Sequence, residues 1–478
     1  MNALFDLRIL GWLIAALGCV QWVPLTAAAF FGERLYPLAA SSIACLVVGL
    51  SLALSARPVQ SELRSRDGFL VVSLGWILCS IFGALPYLLG DVLGPVDSLF
   101  EAAAGFTTTG STVMAHIEQV PRSILLWRAI TQWLGGMGII VFALAILPIL
   151  GIGGMQLFKA EIPGPTTDKL QPRIVSTARR LLYVYVGFTV AEGLALWIAG
   201  LSPYDAVCHA LTTLSTGGFS TRDASVGAFD SAAVEWIVIF FMLLGGMNFA
   251  LHYRLLRGQV KTVFRDTELR YFVAIVAGAA ALVTWLLVHS GSEPGHELRT
   301  ALFQVASIVT TTGYATTDYE TWPVLCSLVL LQLMILGGMA GSTAGGVKDV
   351  RVILGFRVLR GALARGLHPR SVDSVKYGGH NVPVDELAGI WAFLTAYLLI
   401  ALLATAVMAA AGYDLVSAGS AALTALGNVG PGLGRLGPTE TFAEVPAYGK
   451  LTLAFCMIAG RLEVYTLIML FLPGFWRR

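Results

Sequence analysis

The sequence predicts an all-α membrane protein in which four similar units follow an N-terminal pair of helices. The chain has 478 residues, of which 56% are hydrophobic and only 13% are charged. A soluble protein is about 25% charged, so half that fraction indicates a chain that crosses a membrane several times. A short run of small or hydroxyl residues ending in glycine also recurs four times, and its glycines, Gly110, Gly217, Gly313 and Gly430, are spaced by 107, 96 and 117 residues.

Ten apolar segments are long enough to cross a bilayer as helices, which takes about 20 residues. They lie near residues 9–31, 36–56, 69–90, 124–150, 180–200, 232–255, 270–290, 323–360, 386–411 and 448–472. The first segment is too long for the core of an ordinary signal peptide, so we expect it to be retained, although Ala27-Ala28-Ala29 could imitate a cleavage site.

Four further apolar stretches are too short to cross the bilayer. They lie near residues 97–107, 203–214, 296–310 and 415–426, and their length favours half-helices that enter and leave by the same face. Each unit therefore reads as a spanning helix, a half-helix, a polar loop and a second spanning helix. The predicted parts are a helix pair and four units, at 1–66, 67–165, 166–265, 266–376 and 377–478.

The positive charges predict the orientation of the chain. If both termini are cytoplasmic and the half-helices return to the outer face, 23 of the 31 lysines and arginines fall in inner segments. Seven of these lie between Lys348 and Lys376. Basic loops stay on the cytoplasmic side of a membrane, so this arrangement is favoured.

The four polar loops are candidate cation ligands. Irregular backbone at membrane depth is tolerated where it lines a cavity or is buried in protein. Glycine can adopt positive φ, which lets successive carbonyl groups turn to one side and replace the hydration shell of an ion. The predicted ligands are Thr108, Thr109, Gly110, Ser215, Thr216, Gly217, Thr311, Thr312, Gly313, Asn428, Val429 and Gly430.

The half-helices and the acidic residues outside the inner loops both favour a cation. Helix-starting residues precede each half-helix, so its C-terminal end, which carries partial negative charge, should point at its loop. Eighteen of the 29 acidic residues lie outside the inner loops and would concentrate cations there. A single loop of this kind could equally be a packing glycine beside capping threonines, but four together favour a pore.

Together these motifs resemble the Trk/Ktr/HKT superfamily of potassium transporters, and within it the bacterial TrkH branch. The resemblance rests on the N-terminal helix pair, the four units, the segment 160–165 (AEIPGP) and a glycine-rich interruption in the third unit. It implies K⁺ ions in a filter formed by the four loop glycines, with no covalently bound cofactor. Some relatives that admit sodium have serine in the first loop, whereas this chain has Gly110. The fourth loop departs from the pattern with Asn428-Val429.

The interruption in the third unit spans residues 337–347, and five glycines make a break in the helix expected, at about 1 kcal/mol each relative to alanine. It is not a phosphate-binding loop, because Val347 separates Gly346 from Lys348. It resembles the loop that blocks the pore in this family. Arg461, predicted within the last span, should face the pore and bond carbonyls of this loop. The predicted gate comprises Gly337, Gly338, Gly341, Ser342, Thr343, Gly345, Gly346, Lys348, Arg461 and Glu463.

Several other residues receive structural interpretations. The motif Leu-Gly-Gly-Met recurs at 134–137, 244–247 and 336–339, with Ile458-Ala459-Gly460-Arg461 in the corresponding place of the fourth unit. Paired small residues indicate close helix packing in the first two units. Trp127 and Arg128 read as anchors at the membrane interface. The six cysteines read as small buried hydrophobic residues.

The resemblance also implies partners. TrkH-like proteins form homodimers on a cytosolic, nucleotide-binding ring of TrkA-like regulatory subunits, and the inner loops, including 159–173 and 348–376, would be the docking surface. The chain has no nucleotide-binding βαβ unit of its own, and no nucleic-acid partner is expected. Alternatives are an ion-coupled secondary transporter or a K⁺/Na⁺ permease of low selectivity. An enzyme is disfavoured, because the sequence contains no HExxH motif, clustered histidines or nucleophile setting.

Overall fold

The part of the chain that the structure describes is all-helical apart from one short hairpin, as the sequence predicts. A computed structural model describes residues 3–55, 65–145, 170–290, 294–368, 375–378 and 380–476. Within these ranges the strands are Lys376–Tyr377 and His380–Asn381, which pair antiparallel. Among the described residues, six helical segments are long and apolar enough to cross a membrane, and two bent helix pairs could each add one more. The segment 160–165 and residues 159–169 of the predicted docking segment lie outside the described residues.

The N-terminal pair consists of Ala3–Val20, continued by Trp22–Phe31, and Tyr36–Ser55. Glycines set how closely the two helices approach. A Cβ atom on Gly11 would lie 2.7 Å from the carbonyl oxygen of Gly49, so a larger residue would push the helices apart.

Each of the four units contains the same three kinds of helix. The opening helices are Ser65–Gly83, Leu170–Ile198, Thr267–His289 and Val384–Ala410. The short helices 1 to 4 are Pro95–Phe106, Pro203–Leu214, Pro294–Val309 and Leu415–Gly427. The closing helices 1 to 4 are Arg122–Ala145, Ala232–Gly246, Val324–Leu336 and Ala447–Arg461.

Shorter elements connect these helices. They are Leu85–Leu89, Phe249–Leu256, Val260–Phe264, Asp349–Leu367, Tyr465–Ile468 and Pro473–Trp476, with 3₁₀ turns at Ile117–Gln119, Ser225–Phe229, Tyr319–Thr321, Gly434–Leu436 and Met469–Phe471.

The short helices begin where proline and capping residues predict. Proline is the first residue of short helices 1, 2 and 3. An N–H group at this position would have no acceptor within the helix, so proline, which lacks that group, costs no hydrogen bond. Asp414 caps short helix 4, because its carboxylate accepts from the amides of Val416 and Ser417 at 3.1 and 3.2 Å. Hydrogen bonds from Ser417 hold the pKa of Asp414 below its usual value.

The closing segments are interrupted in three units, as predicted in one of them and contrary to prediction in two. Closing helix 3 stops at Leu336 after 13 residues, as the glycine-rich interruption predicts. Closing helix 2 bends by 104° into Phe249–Leu256, and closing helix 4 bends by 111° beyond Arg461. These two bends were not expected. Asn248 caps the helix after the first bend, and Glu463 and Val464 adopt φ of 55° and 59° at the second.

Most of the cysteines are buried as expected, but Cys19 is exposed and the expectation is wrong there. Cys19 lies on the N-terminal helix pair, where many apolar side chains face outward. Such a surface fits contact with lipid, in which a thiol on the outer face of a helix is tolerated.

Candidate functional site

The four polar loops follow one backbone course. In each loop the second residue is left-handed, with φ of 53° at Thr108, 54° at Thr216, 55° at Thr311 and 55° at Asn428. Two residues later a glycine with positive φ ends the loop, at Gly110, Gly218, Gly313 and Gly430. We define loops 1 to 4 as residues 107–110, 215–218, 310–313 and 427–430.

Hydrogen bonds to the short helices fix this common course. In loop 1 the amides of Thr109 and Gly110 both donate to the carbonyl of Ala104, at 2.8 and 3.3 Å. Loops 2 and 3 repeat this pattern with nearly the same distances, and in loop 4 the third residue makes the corresponding bond. The bonds satisfy carbonyl groups that a helix end otherwise leaves free.

The repeat corrects the predicted register of loop 2. Gly218, not Gly217, takes the place of Gly110, because it has the positive φ and its amide lies 3.4 Å from the carbonyl of Thr212. Gly217 corresponds to Thr109 in loop 1. Two adjacent glycines look alike in a sequence, and the backbone angles distinguish them.

The four loops close into a ring. A Cβ atom on Gly110 would contact the carbonyl oxygen of Gly217 in loop 2. The corresponding glycines of the later loops face the next loop in turn, and the ring closes because Gly430 would place its Cβ 2.9 Å from the oxygen of Thr109. The facing pairs are therefore Gly110 with Gly217, Gly218 with Thr312, Gly313 with Val429 and Gly430 with Thr109. Each of the four glycines that end a loop has both positive φ and a backbone neighbour, so no other residue fits there without strain.

Side chains join the loops further. Asn428 donates from Nδ2 to the hydroxyl of Thr109 at 2.9 Å, which links loop 4 to loop 1. Ser111 donates to the carbonyl of Gly430 at 2.7 Å across the same junction. All these side chains are buried. The departure of loop 4 from the threonine pattern therefore adds a contact between loops.

The chain that leaves each loop is held by its short helix. In unit 1 the carboxylate of Glu101 accepts from the hydroxyl of Thr112 and the amide of Val113, each at 2.9 Å. In units 2 and 3 the same role belongs to His209 and Gln304. Each lies three residues before the residue whose carbonyl accepts from the loop amides. Unit 4 uses Ser420, whose hydroxyl accepts from the amide of Leu433 at 2.9 Å.

Arg128 and Trp127 are not interface anchors, contrary to the prediction. Both are buried, and the indole of Trp127 donates to the carbonyl of Gly83 at 3.0 Å. Arg128 forms a buried ion pair with Glu101 at 2.6 Å. A buried charge needs a partner, so the acid within the apolar short helix 1 was the sequence signal that could have identified this pair.

The glycine-rich segment, residues 337–348, lies against the C-terminal ends of the short helices. Its backbone is left-handed at Gly337, Gly341, Gly346 and Lys348, with φ between 74° and 77°. Such angles are costly for a lysine, so the surrounding structure must hold the segment in place.

Polar contacts join the segment to three units. The amide of Gly345 donates to the hydroxyl of Thr311 in loop 3 at 2.7 Å. Thr343 donates to the carbonyls of Leu214 and Gly245 in unit 2, each at 3.0 Å. A Cβ on Gly345 would contact the carbonyl of Gly427 in unit 4. The segment thus sits directly beneath the ring of loops.

The rest of the segment is held locally. Gly338 has no room for a side chain, because its Cβ would lie 2.7 Å from that of Ala344, and Ser342 donates to the carbonyl of Met339 at 2.6 Å. The Lys348 ammonium donates to the carbonyl of Ala344. Gly346 packs on Gly337.

Arg461 contacts the segment as the sequence predicts. Its guanidinium donates to the carbonyl of Thr343 at 2.7 Å and reaches the carbonyl of Gly135 at 3.5 Å. It is the last residue of closing helix 4 rather than an internal one. Glu463 lies nearby but pairs with Arg351 at 2.5 Å.

The contacts also correct the alignment of closing helix 4. A Cβ on Gly460 would contact the carbonyl of Leu426, just as Gly135 faces Phe106 in unit 1. Gly460 therefore corresponds to the first glycine of each pair. Arg461 takes the place of the second, which is Gly136 in unit 1.

Comparison with known proteins identifies the family. A model of the TrkH family, described as cation transport protein, matches residues 37–477. The chain belongs to the TrkH family. It is 41% identical over 483 residues to the Trk system potassium uptake protein TrkH of Vibrio parahaemolyticus, covering 98% of this chain and 99% of that one. It is 42% identical to the TrkH of Escherichia coli K12, over 90% of each chain.

Structural comparison agrees with the family. The crystal structure of the potassium transporter TrkH from Vibrio parahaemolyticus matches with a TM-score of 0.92, covers 100% of both chains and is 38% identical. The predicted resemblance and fold class are therefore confirmed. As members of this family are transport proteins, the expectation that the chain is not an enzyme is confirmed as well.

Three more residues of this TrkH-family chain contact the loops or the glycine-rich segment without having been predicted. Glu268 accepts from the amide of Ala340 in the glycine-rich segment at 2.6 Å. Asn248 packs on Gly341, where a Cβ would lie 3.1 Å from its amide group. Gln132 donates to the carbonyl of Gly217 in loop 2. Each is a polar residue in or beside an apolar helix, which is a usable signal for a buried contact.

Proposed function

We propose that the chain takes up potassium ions through a pore whose selective element is the ring of loops 1 to 4. The closed ring is the observation that carries this proposal. Four loops with one backbone course place equivalent carbonyl-bearing residues around one axis, as a carbonyl filter requires. The relatives named potassium uptake proteins support K⁺ as the transported ion.

The short helices favour a cation at this ring. Their C-terminal ends converge on the loops, and a helix end carries about half a negative charge. Buried hydroxyl groups at Thr109 and Thr312 add neutral oxygen atoms nearby. Neutral oxygens replace the hydration shell of K⁺ without binding it too tightly to leave, and K⁺ is cargo rather than a resident cofactor.

The glycine-rich segment and Arg461 would form the gate. The segment lies beneath the ring, and the guanidinium of Arg461 supports the carbonyl of Thr343 at 2.7 Å. A fixed positive charge here also repels a passing cation. Opening then requires the contacts of Thr343 and Gly345 to release.

Control would come from the cytoplasmic side. We place both termini in the cytoplasm of a bacterial cell, with the protein in the inner membrane as a homodimer on a nucleotide-binding regulatory ring. The helix Asp349–Leu367 follows the gate directly and exposes apolar side chains at Phe356, Leu363 and Leu367 among its arginines. Such a helix suits contact with a partner protein, whose movement would reach the gate through one continuous backbone.

Ion uptake into proteoliposomes tests the proposal. We expect ⁸⁶Rb⁺ uptake that K⁺ suppresses more strongly than Na⁺ and that a K⁺ gradient alone can drive. Equal suppression by both ions would favour a permease of low selectivity. Uptake that needs a proton or sodium gradient would favour the secondary transporter. Absence of uptake, with and without a regulatory ring, would contradict the proposal.

A further inference from the structure

Loop 2 lacks a side chain that the other three loops have. Its third residue is Gly217, where the corresponding residues are Thr109, Thr312 and Val429. Those side chains pack within the site, and the hydroxyl of Thr109 bonds to that of Thr107 at 2.7 Å. Gly217 needs no glycine for its backbone, because positive φ occurs at Gly218 instead. The missing side chain therefore requires another explanation.

Gln132 occupies the space in question. A Cβ atom built on Gly217 would overlap the side-chain amide of Gln132, with Nε2 only 2.8 Å away. The amide donates from Nε2 to the carbonyl of Gly217 at 2.7 Å and accepts at Oε1 from the amide of Phe219 at 3.0 Å. Gln132 is fully buried, and both polar ends of its amide group are bonded to loop 2 or to the residue that follows it.

The same position in the other closing helices is apolar. Gln132 lies three residues before Gly135, and the residues three before Gly245, Gly337 and Gly460 are methionines. These are Met242, Met334 and Met457, and all four side chains are fully buried. A methionine fills space but offers the backbone no hydrogen bond of comparable strength. Unit 1 therefore departs from the repeat at the point where loop 2 lacks its side chain.

A second polar residue, one helical turn before Gln132, contacts the chain just after loop 2. Arg128 donates to the carbonyl of Ser220 at 3.0 Å and stacks 3.5 Å from the ring centre of Phe219. The corresponding residues of the other closing helices are Val238, Leu330 and Leu453, all buried. Gln132 and Arg128 thus bond three backbone groups between Gly217 and Ser220, which are the carbonyl of Gly217, the amide of Phe219 and the carbonyl of Ser220.

We propose that Gln132 is a positioning residue for ion selection, which replaces the missing side chain of loop 2 and fixes the carbonyl of Gly217. This inference rests on the proposed function of the ring. Four carbonyl oxygens face the glycines of neighbouring loops, and they belong to Gly217, Thr312, Val429 and Thr109. An N–H donor aimed at one of the four sets its position and lowers its charge density toward an ion.

The test compares Gln132→Met with a matched control, Met242→Ala. The first keeps the volume found in the other units but removes both hydrogen bonds. The second removes volume at the equivalent position of unit 2, where no hydrogen bond is lost. The readout is selectivity, measured as the concentration of K⁺ that halves ⁸⁶Rb⁺ uptake relative to the concentration of Na⁺ that does the same. We expect Gln132→Met to reduce selectivity by about threefold to tenfold, the range of one net hydrogen bond, and Met242→Ala to leave it unchanged.

A complementing pair sharpens the test. Gly217→Thr alone would clash with Gln132 and should lower selectivity. Combined with Gln132→Ala, which makes room, the new threonine should recover most of the loss, since loop 2 then resembles loops 1 and 3. If Gln132→Met does not fold, Gln132→Asn, whose amide is one methylene too short, replaces it.

The outcomes separate the two proposals. Unchanged selectivity in Gln132→Met, or an equal loss in Met242→Ala, overturns the role of Gln132 while uptake by the native protein still supports the filter. Absence of uptake by the native protein contradicts the filter itself.

Discussion

The ring of loops and the proposed gate beneath it differ in how they use the fourfold repeat. In the ring the second residues of the four loops share one left-handed conformation, with φ between 53° and 55°, and the loops face one another in a closed cycle. Beneath it, the second glycine of unit 1 is Gly136, whereas unit 4 has Arg461 in that place, and unit 3 inserts a whole segment. The comparison suggests that selection depends on what the units share and control on what they do not.

Gly313→Ala breaks the shared part and should have the largest effect. Alanine at φ of 80° is strained, and its Cβ would contact the carbonyl of Val429 in the next loop. We expect ⁸⁶Rb⁺ uptake to fall to the level of empty liposomes. Gly278→Ala is the matched control, because no heavy atom lies within 4 Å of its Cβ. Normal uptake by folded Gly313→Ala would mean that ions do not pass the ring.

Arg461→Ala changes a residue that is not shared among the units, and its effect on uptake should be the second largest. It removes the charged hydrogen bond to the carbonyl of Thr343. Such a bond is worth about 1.5–3 kcal/mol, so uptake without a regulatory partner should rise by about tenfold to 100-fold.

Arg461→Lys keeps the charge but not the planar guanidinium, and we expect an intermediate rise. Uptake that stays at the native level in folded Arg461→Ala would assign this residue to structure rather than to gating.

Thr343→Val tests the neutral contacts of the gate and should have the smallest effect. The hydroxyl that bonds to Leu214 and Gly245 is lost while the shape is kept. One net hydrogen bond corresponds to a rise of about threefold to tenfold in unassisted uptake. Thr395→Val, on an exposed helix face where the hydroxyl bonds within its own helix, should change nothing. A fall in uptake would indicate that the segment stabilises the open pore.

The sequence predicted the fold and much of the site because the relevant signals are local. Apolar length located the helices, and Pro95 or Asp414 marked where a short helix begins. The contact of Arg461 with the glycine-rich segment also followed, since an isolated arginine in an apolar helix must find carbonyl groups.

What could not be predicted depends on register or on distant partners. Gly217 and Gly218 are chemically identical, so their φ angles alone assign the loop position. The bend after Arg461 places Glu463 and Val464 in left-handed backbone without a glycine or proline to announce it. The acid at Glu101 signals a buried partner, but that partner, Arg128, lies 27 residues later in the chain, and no local pattern gives this spacing.

One residue of the glycine-rich segment connects all four units. Thr343 belongs to unit 3, its hydroxyl bonds to unit 2, and its carbonyl receives the Arg461 of unit 4, which in turn reaches Gly135 in unit 1. Residues that share partners in this way do not contribute independently to a free energy. Paired substitutions around Thr343 should therefore be non-additive even when they lie in different units, and the barrier to opening of the proposed gate would be a property of the whole cross-link rather than of any single contact.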